Sequence, residues 1–398
     1  MRVQCAIAGG GPAGLMLGCL LARAGVRTAV FEKHADFLRD FRGDTIHPST
    51  LDVIDELGLL DEFLRRPHQE VRELSGIIGG ERIRLADFTH VPTRCKFVAL
   101  MPQWDFLDFL AEHAQRYATF TLMREAEVVD LIEEGRRVAG VRVKTPGGDL
   151  DVRADLVVGG DGRSSTVRAR ARLEVENIGA PIDVLWMRLS RREGDPGQTF
   201  GHVEAGLFFV LLNRDRYWQC AFVIAKGGID AIRARGLEAF RERLASMEPF
   251  LRDRVHELRD WDDIKLLTVK IDRLRDWCRD GLLCIGDAAH AMSPVGGVGI
   301  NLAIQDAVAA ANILAGPLRG GTCSVDDLRR VQRRREWPMK AVQAMQRVVH
   351  DRIVAPTLGR TTPVGVPWPL RLVDRFAVLR RIPARFLAVG LRPEHVRI

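Results

Sequence analysis

Three glycines and one carboxylate near the start of the chain have the types and spacing to hold a phosphate-bearing ligand. The segment GGGPAG carries Gly9, Gly11 and Gly14, with Pro12 and Ala13 opening what reads as a helix. In such a turn the first glycine permits the tight bend and the second lets the backbone approach a pyrophosphate. The third lets the helix pack closely on the strand, so that its free amides face the phosphates. Glu32, with Lys33 beside it, follows at the end of a second apolar run, where a carboxylate can grip a ribose diol. An ordinary glycine turn would explain the glycines alone. Strand, helix, strand and acid at these spacings together indicate dinucleotide binding.

Two further segments end an apolar run in glycine and acid. In DLVVGGDGRSSTVR, Asp161 stands before a basic helix start, where it could equally cap a helix. In GLLCIGDAAHAMSPVGGVGINLAIQDA, Gly286 and Asp287 end a strand. The loop Pro294, Gly296, Gly297 and Gly299 then leads to a helix at Ile300 and Asn301. A helix N-terminus with bare backbone amides suits the electron-rich edge of a ring. A side chain added at Gly297 is expected to intrude on that ligand. Asp306, farther along the helix, is expected at the surface.

The elements that must position these residues follow from periodicity. Val3 to Ala8, the glycine turn, Leu15 to Ala24 and Arg27 to Phe31 form a βαβ opening with a parallel sheet. Residues 49–66 and 104–117 read as helices. Residues 72–97 and 180–270 are strand-rich and alternate with turns. Residues 300–314 are a long Ala-rich helix, followed by Arg-rich helical segments broken by proline. The fold class is α/β. A discontinuous Rossmann-like domain (1–72, 98–178 and 266–330) holds an inserted, mainly antiparallel β-sheet substrate domain (73–97 and 179–265). A C-terminal helical region (331–398) follows.

In this order and spacing, the three motifs resemble the class A FAD-dependent aromatic hydroxylases, the para-hydroxybenzoate hydroxylase type. The resemblance covers about residues 1–310. It implies that the first motif binds the ADP half of non-covalent FAD, that Asp161 serves FAD and NAD(P)H, and that Asp287 holds the ribityl chain. It also implies that the loop from Pro294 to Asn301 lies beside the isoalloxazine. By register, Arg42 in FRGDTIHPSTLDVIDELGL and Gln103 in MPQWDFLDFL become cofactor residues. Read alone, the first would be a solvated charge and the second a helix start. The implied reaction consumes NADPH or NADH and oxygen and hydroxylates an aromatic small molecule through a flavin C(4a)-hydroperoxide.

For the substrate, the residues say less. His47, His202 and His290 are candidate bases by position only, and His290 is read as structural. Alternation would aim Arg216 and Trp218 to one sheet face and Tyr217 to the other, with an aromatic in the sheet core as the equal alternative. His47, Arg216, Trp218 and Pro294 are the candidate substrate contacts. A flavin-dependent halogenase would carry a WxWxIP segment, which is absent. A lipophilic-substrate hydroxylase of the ubiquinone-pathway kind and a non-catalytic FAD binder are the alternatives; the apolar, basic stretch from Val364 to Leu391 would suit a lipid-like substrate or a membrane surface, and a packed amphipathic helix pair explains it as well.

The 398 residues carry a net charge of +7, which attracts anionic ligands such as dinucleotides, but no nucleic-acid module is present. The seven cysteines form no CxxC pair, pointing to free thiols in a reducing cytoplasm. No metal cluster is expected. No apolar run reaches the length of a membrane span, so no stable membrane insertion is expected, and a homodimer is left open.

Overall fold

A computed structural model describes residues 1–38 and 45–398. Arg42 lies outside the described residues. The strands β1 (Arg2–Ala8) and β2 (Thr28–Phe31) flank the helix α1 (Pro12–Arg23). Ten of the twelve α1 residues are buried, because apolar side chains occupy nearly its whole circumference. The helix α2 (Pro48–Glu56) follows, then the strand pair β3 (Glu73–Ile78) and β4 (Glu81–Asp87), the helix α3 (Gln103–Ala114), β5 (Phe120–Met123) and β6 (Gly148–Gly159).

Next come β7 (Ile182–Ser190), β8 (Phe200–Glu204), β9 (Leu207–Asn213), β10 (Tyr217–Ala225), the helix α4 (Leu237–Met247), β11 (Lys265–Leu267) and β12 (Leu282–Cys284). Four helices close the description: α5 (Gly299–Arg319), α6 (Val325–Val349), α7 (Trp368–Arg375) and α8 (Ala377–Val389).

Two large sheets organise these elements. In the first, β12, β6, β1, β2 and β5 lie side by side and parallel, with the antiparallel hairpin Glu127–Thr145 continuing from β6. Parallel strands buried on both faces read as continuous apolar runs, as Cys5–Ala8 of β1 and Leu156–Val158 of β6 do. The second sheet runs β11-β7-β10-β9-β8-β3-β4. Its neighbours are antiparallel except β8 with β3, which pair in parallel across the long connection of residues 79–199.

One face of the second sheet carries Leu185, Met187, Trp218, Cys220 and Phe222 under Phe240 and Leu244 of α4. Its other face carries Val184, Trp186, Ala221 and Val210 against Val349 and Val354. This alternation corrects the placement of Trp218. Its side chain is fully buried under α4, edge-on to Phe200, and its Nε1 donates to Asp195 Oδ2 at 2.9 Å. Asp215 takes a positive φ of 66° and Arg214 N–H bonds Tyr217 O. Arg216 therefore sits in a turn, and the strand alternation begins only at Tyr217.

Asp195 also receives both Nη groups of Arg254, and the pair is almost wholly buried. Burial opposes its ionisation, but the hydrogen bonds from Arg254, Trp218 and the Arg192 N–H outweigh that and hold its carboxyl down from 3.8 to about 2. A carboxyl depressed on folding contributes stability above its unfolded pKa and loses it as pH falls through the folded value. Asp195→Asn should therefore lower the unfolding midpoint at neutral pH. The wild-type advantage should shrink between pH 3.8 and about 2. An advantage that stays constant over that window in denaturant titrations would disprove this role.

Candidate functional site

The three glycine-acid motifs meet at the carboxyl ends of three adjacent parallel strands, β1, β6 and β12, the place where open α/β sheets bind ligands. Gly160 N–H donates to Ala8 O, and Ile285 N–H donates to Gly159 O, which links the three strand ends. Arg163 Nη2 lies 3.4 Å from Asp287 Oδ2, joining the second motif to the third.

The glycines separate into two kinds. A Cβ on Gly14 would lie 2.0 Å from Gly9 O, and Gly9 itself has φ +97° against the Gly160 carbonyl. These two are glycine for the protein's own packing. Gly11 has an ordinary φ of −77°. A Cβ there would have no neighbour closer than Gly160 O at 4.0 Å. Gly299, the first residue of α5, would meet nothing within 4 Å. Neither conformation nor packing requires glycine at 11 or 299, and both open a helix N-terminus.

Gly297 is of the first kind. It has φ +63°, and its Cβ would lie 2.4 Å from Thr45 Oγ1, so a side chain there strikes Thr45 before any ligand. The expected intrusion on a ligand from this position is therefore corrected. Gly296, at φ +82°, faces Leu387. Pro294 caps the short turn Val295–Gly297.

Glu32 is buried at the end of β2, accepting Gly10 N–H on Oε2 and His34 N–H on Oε1, each at 3.0 Å. Lys33 beside it is exposed, and Pro12 and Ala13 start α1. Gln103 is the first residue of α3, which packs on α1. Asp161 accepts Ser165 Oγ at 2.5 Å and Val167 N–H at 3.1 Å, so it fastens the turn into the next helix. Asn301 Oδ1 accepts the hydroxyls of Ser49 and Thr50, tying α5 to α2, and Ile300 is buried beside it.

His47 is buried, with Nδ1 2.6 Å from Leu387 O and Nε2 3.1 Å from Gly297 O. Burial lowers its pKa against the partial offset of those carbonyls. Both ring nitrogens face carbonyl oxygens of this chain rather than open substrate space. His202 is held between Glu248 and Glu204, whose carboxylates raise its pKa against burial, and it belongs to the sheet's own structure. Arg216 and Tyr217 line a polar cleft of about 450 Å³ with Arg188, Ser190, Glu257 and Lys265, the Arg188 guanidinium lying 3.7 Å over the Tyr217 ring.

Asp306 corrects a second expectation. It is wholly buried. It accepts Gly286 N–H at 3.1 Å and His290 Nε2 at 2.6 Å on one oxygen, and Arg335 Nε at 3.0 Å on the other. Burial opposes its charge, but His290 and Arg335 together keep its carboxyl below the ordinary range. The signal was present in the sequence: Asp306 stands well off the polar line of α5 formed by Asn301, Gln305 and Asn312, among apolar residues. Gln346 was not legible. It accepts Ser293 N–H and donates to Ser293 O and Val295 O, clamping the loop from α6.

Fold and site define a nucleotide-binding α/β protein whose ligand lies across the strand ends, with a sheet domain beside it. Residues 2–344 match the family described as FAD binding domain, and the chain belongs to that family. It is 35% identical over 384 residues to the 6-methylpretetramide 4-monooxygenase of Streptomyces rimosus, covering 94% of this chain and 91% of that one. It is 29% identical over 320 residues to a 12-dehydrotetracycline 5-monooxygenase/anhydrotetracycline 6-monooxygenase from Streptomyces rimosus subsp. rimosus, covering 77% of this chain and 61% of that longer protein.

Among solved structures, Pseudomonas aeruginosa PqsL in complex with 2-aminobenzoylacetate superposes with a TM-score of 0.78. That match has 24% identity and covers 90% of this chain and 98% of that one. The protein is an FAD-dependent aromatic monooxygenase. The residues present fit the cofactor: two helix N-termini are opened by glycines that nothing else in the fold requires, and a buried carboxylate stands between the nucleotide strands.

Proposed function

We propose that the protein hydroxylates a phenolic ring of a fused polycyclic aromatic, using FAD, NAD(P)H and dioxygen. The observation that carries this is the 35% identity to a pretetramide hydroxylase along nearly the whole of both chains. FAD held at this site would supply the redox chemistry by which NAD(P)H and dioxygen yield one oxygen atom for the ring and one for water. The chain's own residues bind and orient. The N-terminal amides of α1 receive the pyrophosphate past Gly11, and Glu32 takes the ribose hydroxyls. Asp287 holds the ribityl chain, with Arg163 steadying its carboxylate. The N-terminal amides of α5, bare at Gly299, favour negative charge on the ring edge.

The Ser293–Val295 segment, clamped by Gln346, stays in place while water is excluded. No histidine is assigned as base. The seven free thiols suit a reducing cytoplasm.

Purified protein should be yellow, and acid should release the colour as FAD. Incubated with hydroxylated naphthacenes and NADPH under labelled dioxygen, it should place one labelled oxygen in the product. Oxygen drawn from water, or NADPH oxidation that never depends on the aromatic, would rule the reading out.

A further inference from the structure

We propose that the outer face of α7 and α8 is a docking surface for an anionic lipid bilayer. The sequence from Trp368 to Leu391 contains five arginines and a single acid, Asp374, which Arg84 occupies. Helical spacing sets Trp368 and Leu372 on one face of α7 and Val378 and Ile382 on one face of α8, with Phe376 in the extended connection between them. All five are exposed, from 40% at Leu372 to 73% at Trp368.

The helices are packed, but on their other side. Ala384 and Ala388 of α8 are buried against Phe88 and Val91, and Arg380 is buried with them. The exposed apolar row is therefore not the face that holds the pair to the fold. Arg371, Arg375, Arg381 and Arg385 stand exposed along the same helices, with Arg371 shared with Glu81.

Charge decides the occupant. A second copy on a two-fold axis would bring this patch onto itself and oppose arginine with arginine. An anionic bilayer meets both features at once: the guanidinium groups reach the headgroups, while tryptophan and the aliphatic side chains enter the boundary. Docking would be peripheral. Contrary to the expectation from sequence, one stretch, Val295–Arg319, is long and apolar enough to cross a membrane, but 83% of its most apolar 18-residue window is buried inside the protein. The same α8 offers Leu387 O to His47 and lies against Gly296, so docking would set the flavin loop near the lipid. That consequence for delivery of an apolar substrate rests on the proposed substrate class. The docking itself does not.

The holoprotein should be sedimented with phosphatidylcholine vesicles and with phosphatidylcholine–phosphatidylglycerol vesicles. It should pellet with the anionic set alone and be released by salt. An arginine near an anionic surface contributes about 1 kcal/mol, about fivefold in partitioning, so Arg381→Glu with Arg385→Glu should weaken binding by roughly 30-fold or more. Trp368→Ser with Ile382→Ser should weaken it without any change of charge. Arg329→Glu with Arg330→Glu, two exposed arginines on α6, imposes the same change of net charge and should weaken binding far less.

All variants should retain FAD, which reports that they fold. Failure to pellet with anionic vesicles, or an equal loss in the α6 pair, would overturn the proposal. So would a stable dimer in light scattering that Ile382→Ser splits, since that assigns the face to a second copy.

Discussion

Valine at Gly11 or at Gly299 should leave the apoprotein folded and strip it of FAD, whereas valine at Gly14 should prevent folding. The three glycines look alike in sequence, and the space around them differs. At Gly14 an added Cβ would sit 2.0 Å from the Gly9 carbonyl, so α1 must move off β1, and the buried side chains of α1 move with it. At Gly11 the backbone is in an extended conformation that any residue adopts, with no atom closer than 4.0 Å to the new Cβ. At Gly299 that space is open.

With the cofactor across these helix ends as proposed, a side chain there would meet it rather than the protein. Forcing extra methyl groups against a packed group costs about 1–3 kcal/mol, which reads as roughly 5- to 150-fold weaker FAD retention. Circular dichroism and thermal unfolding of apoprotein, with FAD affinity by fluorescence quenching, separate the cases. If Gly11→Val and Gly299→Val bind FAD as wild type does, the two helix N-termini do not face the cofactor.

That distinction marks how far the sequence could be read. The βαβ opening, the parallel core and the second, mainly antiparallel sheet were legible because apolar periodicity and glycine-acid turns are local signals. The meeting of Gly9, Asp161 and Asp287 at neighbouring strand ends follows from parallel pairing once the strands are known. What failed was where local patterns stop. Trp218 and Arg216 were read on one alternating strand, but the positive φ at Asp215 ends the alternation before Tyr217. Gly297 was read as bare for a ligand, although Thr45, 252 residues earlier in the chain, occupies that side. Gln346, 51 to 53 residues from the loop it clamps, lies in no motif. Contacts between distant segments leave no trace in spacing.

Asp287 should keep the cofactor role that the sequence suggested, whereas Asp306, expected at the surface, should prove to hold the fold. Asp287→Ala removes a half-exposed carboxylate whose one protein partner among the described residues is Arg163, at 3.4 Å. Folding should hardly change. FAD should be lost more easily, because a hydrogen bond to a charged group is worth about 1.5–3 kcal/mol, or roughly 10- to 150-fold in affinity. Asp306→Ala removes the only carboxylate that meets both Arg335 Nε and His290 Nε2 among the described residues, and it also leaves Gly286 N–H without its acceptor. Breaking a buried pair by deleting one partner costs about 3–5 kcal/mol, because the remaining charge stays buried and uncompensated.

That is a large part of an ordinary stability margin of about 5–15 kcal/mol. Glu394 lies 3.4 Å from Arg335 Nη1 and relieves part of it, while among the described residues nothing comparable serves the Gly286 amide. Asp306→Asn keeps an acceptor for that amide and should recover some of the loss. Denaturant titration of apoprotein measures the stabilities, and FAD titration at a denaturant-free temperature well below each midpoint measures the affinities. If Asp306→Ala unfolds with the wild-type midpoint, the buried network does not hold α5 to the strand end. If Asp287→Ala keeps wild-type FAD affinity, its carboxylate does not reach the cofactor, and the third motif serves the fold alone.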